Sequence, residues 1–376
     1  MSGAPPTYSP SHAPRDETRV GAYRLAERIG IGPIAQTFRG ELVEGREGQQ
    51  HVCIKRVPVT AGPELEGFLK EGAAITALCH PEIARLLYFG RTDDGCYLAY
   101  ELVEGVDLRS VLRVRGALGK SLTVYIATRI AMALSACHEH GLVHRDVSPG
   151  NVLLTPRGEV KLADLGVARA RGRDSPTRID MAGGKPFYAA PEYATRGQLG
   201  PLTDLYSLGV IMYECLTGER PYEGISAARV AELSAQGKRP QLQTRAPHTP
   251  LALVTLVDAL LQGDPTARPR DAAEVLQALQ KAEVRSDMAD ELRTLIAELS
   301  AQPPVAPHAA PGVPSPAAPR QPKPRAESSE RPRRPIPSSS ARSTTRAGHR
   351  SGTALLWLGV AVMAMGMGWL AMRMMG

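Results

Sequence analysis

Asp146 and Asn151 stand five residues apart in the run His144-Arg145-Asp146-Val147-Ser148-Pro149-Gly150-Asn151. The first is a potential proton acceptor, and the second offers a hard amide oxygen to a metal ion. Thirteen residues beyond Asn151 comes Asp164-Leu165-Gly166, a second anionic site. Far upstream, Val52-Cys53-Ile54-Lys55 supplies a cation. Strand alternation puts Cys53 and Lys55 on one face, so Lys55 can project into whatever that face covers. A proton acceptor, oxygen ligands and a lysine are the parts from which phosphoryl transfer is assembled.

The elements that must position these groups are legible from periodicity. Tyr23–Ile29, Thr37–Val43, His51–Val57, Leu86–Gly90 and Cys96–Leu102 read as strands separated by Gly or charged turns. Glu64–Leu78 reads as a helix with Phe68, Ala74, Ile75 and Leu78 in an apolar stripe. From Leu108 the pattern turns mostly helical: Leu122–His140, Asp204–Leu216, Ala228–Gln236, Ala252–Leu261 and Ala272–Leu279. The short blocks Val152–Leu154 and Val160–Leu162 read as paired strands. Val284–Ser300 is one more amphipathic helix, with Leu292, Leu295, Ile296 and Leu299 on one side.

Gly30-Ile31-Gly32-Pro33-Ile34-Ala35-Gln36-Thr37 adds a glycine-rich turn where backbone N–H groups can come close to phosphates. A dinucleotide fingerprint needs a strand-turn-helix unit, and the residues after Gly32 read as strand instead. Gly183-Gly184-Lys185 lacks the spaced first glycine and the following Ser/Thr of a Walker A loop.

In order and spacing these motifs resemble the bacterial eukaryotic-like (Hanks-type) serine/threonine protein kinase family, from about Tyr23 to about Gln280. The resemblance implies an α+β, two-lobed protein kinase fold, with a strand-rich N-lobe and a helical C-lobe. It implies transfer of the ATP γ-phosphoryl group to protein Ser/Thr hydroxyls, with Mg²⁺ or Mn²⁺ as the ion. Asp146 takes the part of catalytic base, and Asn151 and Asp164 those of metal ligands. Lys55 pairs with the α- and β-phosphates and with Glu71. Ile29, Gly30, Gly32, Ala35 and Thr37 border the phosphates. Glu101 and Val103 offer backbone groups to the adenine, Tyr100 closes the pocket behind it, and Asp107 reaches the ribose. His144 is read as a packed structural histidine, and Arg145 as a partner of the activation segment. Within that segment a phosphate on Ser175 or Thr177 could pair with Arg145 or local arginines. Glu192, in Ala190-Pro191-Glu192, and Arg268 resemble a buried ion pair, and Asp204 is expected to brace the catalytic loop through backbone N–H groups.

Three positions depart from the family pattern. Ala35 stands at the third glycine, Ser148 where Ser/Thr-directed members carry lysine, and Lys185 where they carry threonine. A lysine at 148 would neutralise charge on the γ-phosphate, and a hydroxyl cannot. In the family the segment carrying Lys185 passes near the catalytic loop, so either its ammonium replaces that charge or the two changes are independent. These departures favour a rival reading, a membrane-tethered pseudokinase acting as a nucleotide-binding scaffold. They also leave Ser/Thr against Tyr preference open. Small-molecule phosphotransfer is a third reading, disfavoured because the Ala190-Pro191-Glu192 segment shapes a peptide site in the family.

The net charge of +7 would suit a nucleic-acid partner if it lay on a folded face. It does not. Residues 301–352 hold nine Lys/Arg against Glu327 and Glu330, so residues 1–300 are close to neutral and no nucleic-acid partner is expected. Five scattered cysteines without CxxC spacing argue against a disulfide framework or a zinc site and fit a reducing compartment. Residues 1–20 lack an apolar core and read as a disordered leader, not a signal peptide. The kinase-like domain is expected over 21–282 (N-lobe 21–103, C-lobe 104–282), with the amphipathic helix at 283–300. The linker 301–352, with twelve prolines in 301–340, cannot form a core. Thr353–Met372 is uncharged and long enough at about 30 Å to cross a bilayer, leaving the tail 373–376. Arg342, Arg346 and Arg350 put the preceding side in the cytoplasm. The expected location is the bacterial inner membrane, single-pass, with the bilayer, protein substrates and a second copy (trans-autophosphorylation) as partners. No external sensor is expected, so input comes from the cytoplasm, the membrane or a partner.

Overall fold

The computed structural model describes residues 19–31, 35–43, 51–57, 72–92, 95–165, 185–222, 226–282 and 288–301. Its N-terminal part is an antiparallel sheet of β1 (Arg19–Val20), β2 (Tyr23–Ile31), β3 (Gln36–Leu42), β4 (His51–Val57), β5 (Leu86–Thr92) and β6 (Gly95–Glu101). The spatial order is β1-β2-β3-β4-β6-β5. One face of β4 places Val52 and Ile54 in a cluster with Tyr23, Leu25 and Tyr97. Alternation therefore turns Cys53 and Lys55 to the other face. The register is fixed on both sides, with Lys55 opposite Thr37 on β3 and Leu98 on β6. Residues 72–77 form the helical turns α1, from which Ile75 is buried.

A second antiparallel sheet joins β7 (Val106–Asp107), β8 (Val152–Leu154) and β9 (Val160–Leu162). The rest is helical: α2 (Leu108–Arg115), α3 (Gly119–Glu139), α4 (Pro191–Arg196), α5 (Pro201–Thr217), α6 (Ala227–Ala235), α7 (Leu242–Arg245), α8 (Leu251–Leu260), α9 (Ala272–Gln280) and α10 (Met288–Ala301). α5 is the centre of this lobe. It is buried from Thr203 to Tyr213 without a break, the signature of a helix enclosed on all sides. Proline opens it and Gly218, at φ 76°, closes it. α3 crosses beside it, and α8 and α9 complete the core.

The strands and long helices lie within a few residues of their sequence-expected bounds. One difference has a physical cause. The expected leader, 1–20, ends too late: Arg19 and Val20 pair with Arg24 and Tyr23, and Val20 is buried. Two residues carry too little periodicity to read as a strand. The described part of α10 begins at Met288, and the helix packs on the large lobe as its apolar stripe suggests, with Leu292, Leu295 and Ile296 buried in the main core. Arg115 Nη1 on α2 meets Glu298 Oε2 at 3.1 Å and fastens its far end. Most of the expected helix Glu64–Leu78, with Phe68 and Glu71, lies outside the described residues, as do Gly32, Ser175, Thr177 and everything from 302 onward. Among the described residues no helix is long and apolar enough to cross a membrane. The span expected at Thr353–Met372 falls outside them.

Candidate active site

The loop from His144 to Asn151 is braced by one carboxylate. Asp204 on α5 accepts from His144 N–H through Oδ2 and from Arg145 N–H through Oδ1, both at 2.8 Å. His138 on α3 meets the same Oδ2 at 2.9 Å. The brace holds backbone that would otherwise relax. Among the described non-glycine residues only Arg145 and Asp164 have positive φ, each 69°, and a left-handed conformation costs such residues about 1–2 kcal/mol.

His144 is buried and structural, as its sequence context suggested. Its Nε2 lies 3.0 Å from the Ala163 carbonyl, which can only accept, so the proton sits there. Nδ1 is then free to accept from Asp146 N–H, at 3.3 Å. Ala163 is gripped twice, since its N–H also donates to Asn151 O at 2.8 Å. The next residue is Asp164. These bonds, with the pairing Val152↔Leu162, hold the Asp146–Asn151 loop and Asp164 in register.

Asn151 Nδ2 donates to Asp146 O at 2.7 Å and to Asp146 Oδ2 at 2.9 Å. The amide orientation is thereby set, and Oδ1 accepts from no donor among the described residues. A carboxamide oxygen and a carboxylate thirteen residues apart in sequence, joined through one backbone bond, suit a hard divalent cation. Across the cleft Lys55 Nζ forms an ion pair with Asp164 Oδ2, mostly buried on both sides. Lys55 thus links β4 to the loop after β9. Burial pushes the Cys53 thiol, on the same face as Lys55, up to about 11, so it stays neutral beside these charges.

The mouth of the cleft is lined by Glu27, Ile29, Arg39, Leu102, Val103, Glu104 and Gly105. Arg39 and Glu104 meet across it at 3.2 Å, both exposed. Gly105 is required here: a Cβ would lie 2.2 Å from Leu154 O. Glu101 turns its side chain away, accepting from Lys161 Nζ at 2.7 Å and from Arg85 N–H at 3.2 Å. Tyr100 beside it is buried. Asp107, expected at the ribose, is the N-cap of α2. Its Oδ1 accepts from Ser110 N–H at 3.0 Å and its Oδ2 from Ser110 Oγ at 2.8 Å. The sequence reading missed this cap, although Asp three residues before Ser at a helix start is a recognisable signal.

Ser148 is buried, and its Oγ has no hydrogen-bond partner among the described residues. Residue 185 opens a 3-10 turn, Lys185–Tyr188. Past that turn Glu192 is held by Arg268 through two parallel bonds of 2.7 and 2.8 Å, the pairing read from sequence. Arg268 also donates to Leu202 O and Gln262 O, each at 2.9 Å, and lies 4.8 Å from the Tyr206 ring centroid.

A curled strand lobe over a helical lobe, with a lysine–aspartate pair at the junction and an aspartate–asparagine loop beneath it, is a protein kinase fold. The protein kinase domain profile matches residues 23–280, and the chain belongs to that family. It is 35% identical over 269 residues to the serine/threonine-protein kinase PknA of Mycobacterium tuberculosis, covering 70% of this chain and 61% of PknA. It is 29% identical over 282 residues to the serine/threonine-protein kinase PrkC of Bacillus subtilis, covering 74% of this chain and 43% of PrkC. The chain thus spans about three-fifths or less of these curated relatives. Among solved structures it resembles Rad53 1-466 in complex with AMP-PNP, with a TM-score of 0.58 and 26% identity over 68% of this chain and 64% of that one.

Proposed function

We propose that the protein transfers the γ-phosphoryl group of ATP to Ser/Thr hydroxyls of proteins, at the cytoplasmic face of a bacterial membrane. The observation that carries this is the convergence of Asp146, Asn151, Asp164 and Lys55, held by Ala163 and Asp204. Asp146 orients the acceptor hydroxyl and takes its proton as the oxygen bonds to phosphorus. The β–γ phosphoanhydride bond breaks and ADP leaves. Lys55 steadies the α- and β-phosphates, with Glu71 as its second partner. Asn151 Oδ1 and Asp164 hold Mg²⁺, or Mn²⁺ in its place. That ion, when bound, neutralises phosphate charge. Ile29, Gly30, Gly32, Ala35 and Thr37 border the phosphates and the ring. The Glu101 carbonyl and Val103 N–H meet the adenine, and Asp107 keeps lone pairs beyond its cap for a ribose hydroxyl.

Ser148 leaves a gap in this scheme that Lys185 fills, its ammonium replacing the cation missing from the catalytic loop. Supporting this is the buried Ser148 hydroxyl, which has no hydrogen-bond partner among the described residues. Phosphate on Ser175 or Thr177, added by a second copy, orders the activation segment against Arg145. The apolar run Thr353–Met372 anchors the chain, and the arginine-rich linker stays on the cytoplasmic side.

The test is incubation of the full chain with γ-labelled ATP, Mg²⁺ and myelin basic protein, beside Asp146→Asn, Asp164→Ala and Lys185→Met. Label on serine or threonine for the wild type alone supports the enzyme. Equal label from Asp146→Asn refutes it. Nucleotide binding without transfer by any form marks a pseudokinase scaffold. A near wild-type rate for Lys185→Met removes only the charge replacement.

A further inference from the structure

Arg109, the second residue of α2, lies against the catalytic loop instead of projecting into solvent. A Cβ on Gly150 would stand 2.8 Å from Arg109 Nη2 and 2.9 Å from Cζ. The guanidinium therefore occupies the space that any side chain at 150 would claim. Gly150 is four residues past Asp146 and next to Asn151. Among the described residues no carboxylate lies within ion-pair reach of Arg109. A half-buried arginine beside the catalytic loop, with no ion-pair partner among the described residues, gains from meeting an anion because desolvation strengthens the pairing.

The neighbouring elements carry the same sign. Arg113 is four residues along α2, on the face that Arg109 uses, and is exposed. Past the end of α5, Gly218 packs on the Gly116–Ala117 backbone. This brings Arg220 alongside, where its guanidinium lies 3.7 Å from the centroid of the Phe187 ring. Phe187 and Tyr188 belong to the turn that leads to Glu192. One acid enters the group, and it is occupied: Glu214 on α5 accepts from Tyr188 O–H at 2.6 Å. Burial raises the pKa of that carboxyl, the two arginines acting against the rise.

A peptide whose hydroxyl reaches Asp146 must lay its flanking residues across the surface next to the catalytic loop. We infer that Arg109, seated on Gly150 and backed by Arg113 and Arg220, selects protein substrates with an Asp or Glu side chain close to the acceptor. This deepens the proposed function and rests on it. Gly150 is the permissive half of the device. Its missing side chain lets the guanidinium lie flat beside the loop.

The experiment uses the full chain and peptides with one central threonine. Asp, Ala or Lys is placed in turn at each of four positions on either side. The expected result is a kcat/KM ratio of about tenfold for Asp over Lys at one or two positions, the scale of one charge-assisted hydrogen bond. In Arg109→Glu the ratio falls below one. In Gly150→Ala, where the new methyl group pushes the flexible guanidinium aside, it falls toward one. The Gly150 variant makes the test independent of any folding defect in the Arg109 variant. A ratio of one in the wild type, or the same ratio in all three proteins, overturns the inference while the kinase reading stands. No transfer to any peptide by the wild type overturns the kinase reading itself.

Discussion

Replacing Asp204 with asparagine alters one atom type in a site that is 1% exposed. Three donors converge on the native carboxylate: His144 N–H, Arg145 N–H and His138 Nε2. Asparagine has one oxygen. Its best placement keeps that oxygen at the Oδ2 position, where two donors meet. The amide nitrogen then faces Arg145 N–H across 2.8 Å, donor against donor, and the loop must move. An unsatisfied buried N–H costs about 1–3 kcal/mol. The two surviving bonds lose their charge assistance, about 1 kcal/mol each. The left-handed Arg145 also loses the group that holds it there. The sum is about 3–5 kcal/mol, or a fall in Tm of about 10 °C for a domain of this size. Urea unfolding of Asp204→Asn gives the stability term, and phosphoryl transfer by the still-folded protein gives the functional one. The expected result is a loss of stability in that range together with a drop in kcat larger than any change in KM for ATP. Stability within 1 kcal/mol of wild type, with kcat intact, would refute the bracing argument.

Arg268→Met should cost about 3–5 kcal/mol in denaturant unfolding, because it strands the Glu192 carboxylate and two carbonyls in the interior. The double variant with Glu192→Leu should recover part of that loss, and equal losses in both would count against the pair. Glu214 has a folded pKa raised above 4.5, with burial as the largest cause, so its contribution to stability is full below 4.5 and declines as pH rises through the folded value. Glu214→Gln keeps an acceptor for Tyr188 without that penalty. Its stability relative to wild type should therefore improve between pH 4 and pH 8, and a decline would reverse the assignment. Iodoacetamide at pH 8 should label exposed Cys79 long before Cys53 or Cys137, whose thiols burial pushes up to about 11 and about 12. Mass spectrometry of tryptic peptides gives the order, and early labelling of Cys53 would contradict its burial.

The parts of the fold that sequence reveals are those with short-range patterns. Alternation in Val52-Cys53-Ile54-Lys55 placed Lys55 on the cleft face before any register was known, and β4 has that arrangement. Asp204 and Arg268 were legible because each sits in a recognisable local motif. Contacts between distant positions outside the family's motifs were not. Lys161 carries no signal of its own in the block Val160–Leu162, yet it holds Glu101, sixty residues away, and so ties the sheet of the first lobe to β9. Asp107 carries a second role that the sequence reading missed. Its position relative to Glu101 suits the ribose, and the start of α2 also engages both oxygens through Ser110. Ser148 shows the limit most clearly. Sequence marks the missing lysine, while only the packing reveals that the serine hydroxyl is buried with no hydrogen-bond partner among the described residues.

Ligation of a nucleotide-borne divalent ion by Asn151 and Asp164 is what the proposed activity rests on. Its most direct measurement is calorimetric titration of AMP-PNP into the full chain, with and without Mg²⁺, for the wild type, Asn151→Ala, Asp164→Ala and Asp146→Asn. Mg²⁺ should tighten binding by at least about tenfold in the wild type and in Asp146→Asn, a difference of ~1.4 kcal/mol. That gain should shrink in Asn151→Ala and vanish in Asp164→Ala. An identical Mg²⁺ effect in all four proteins would contradict the account.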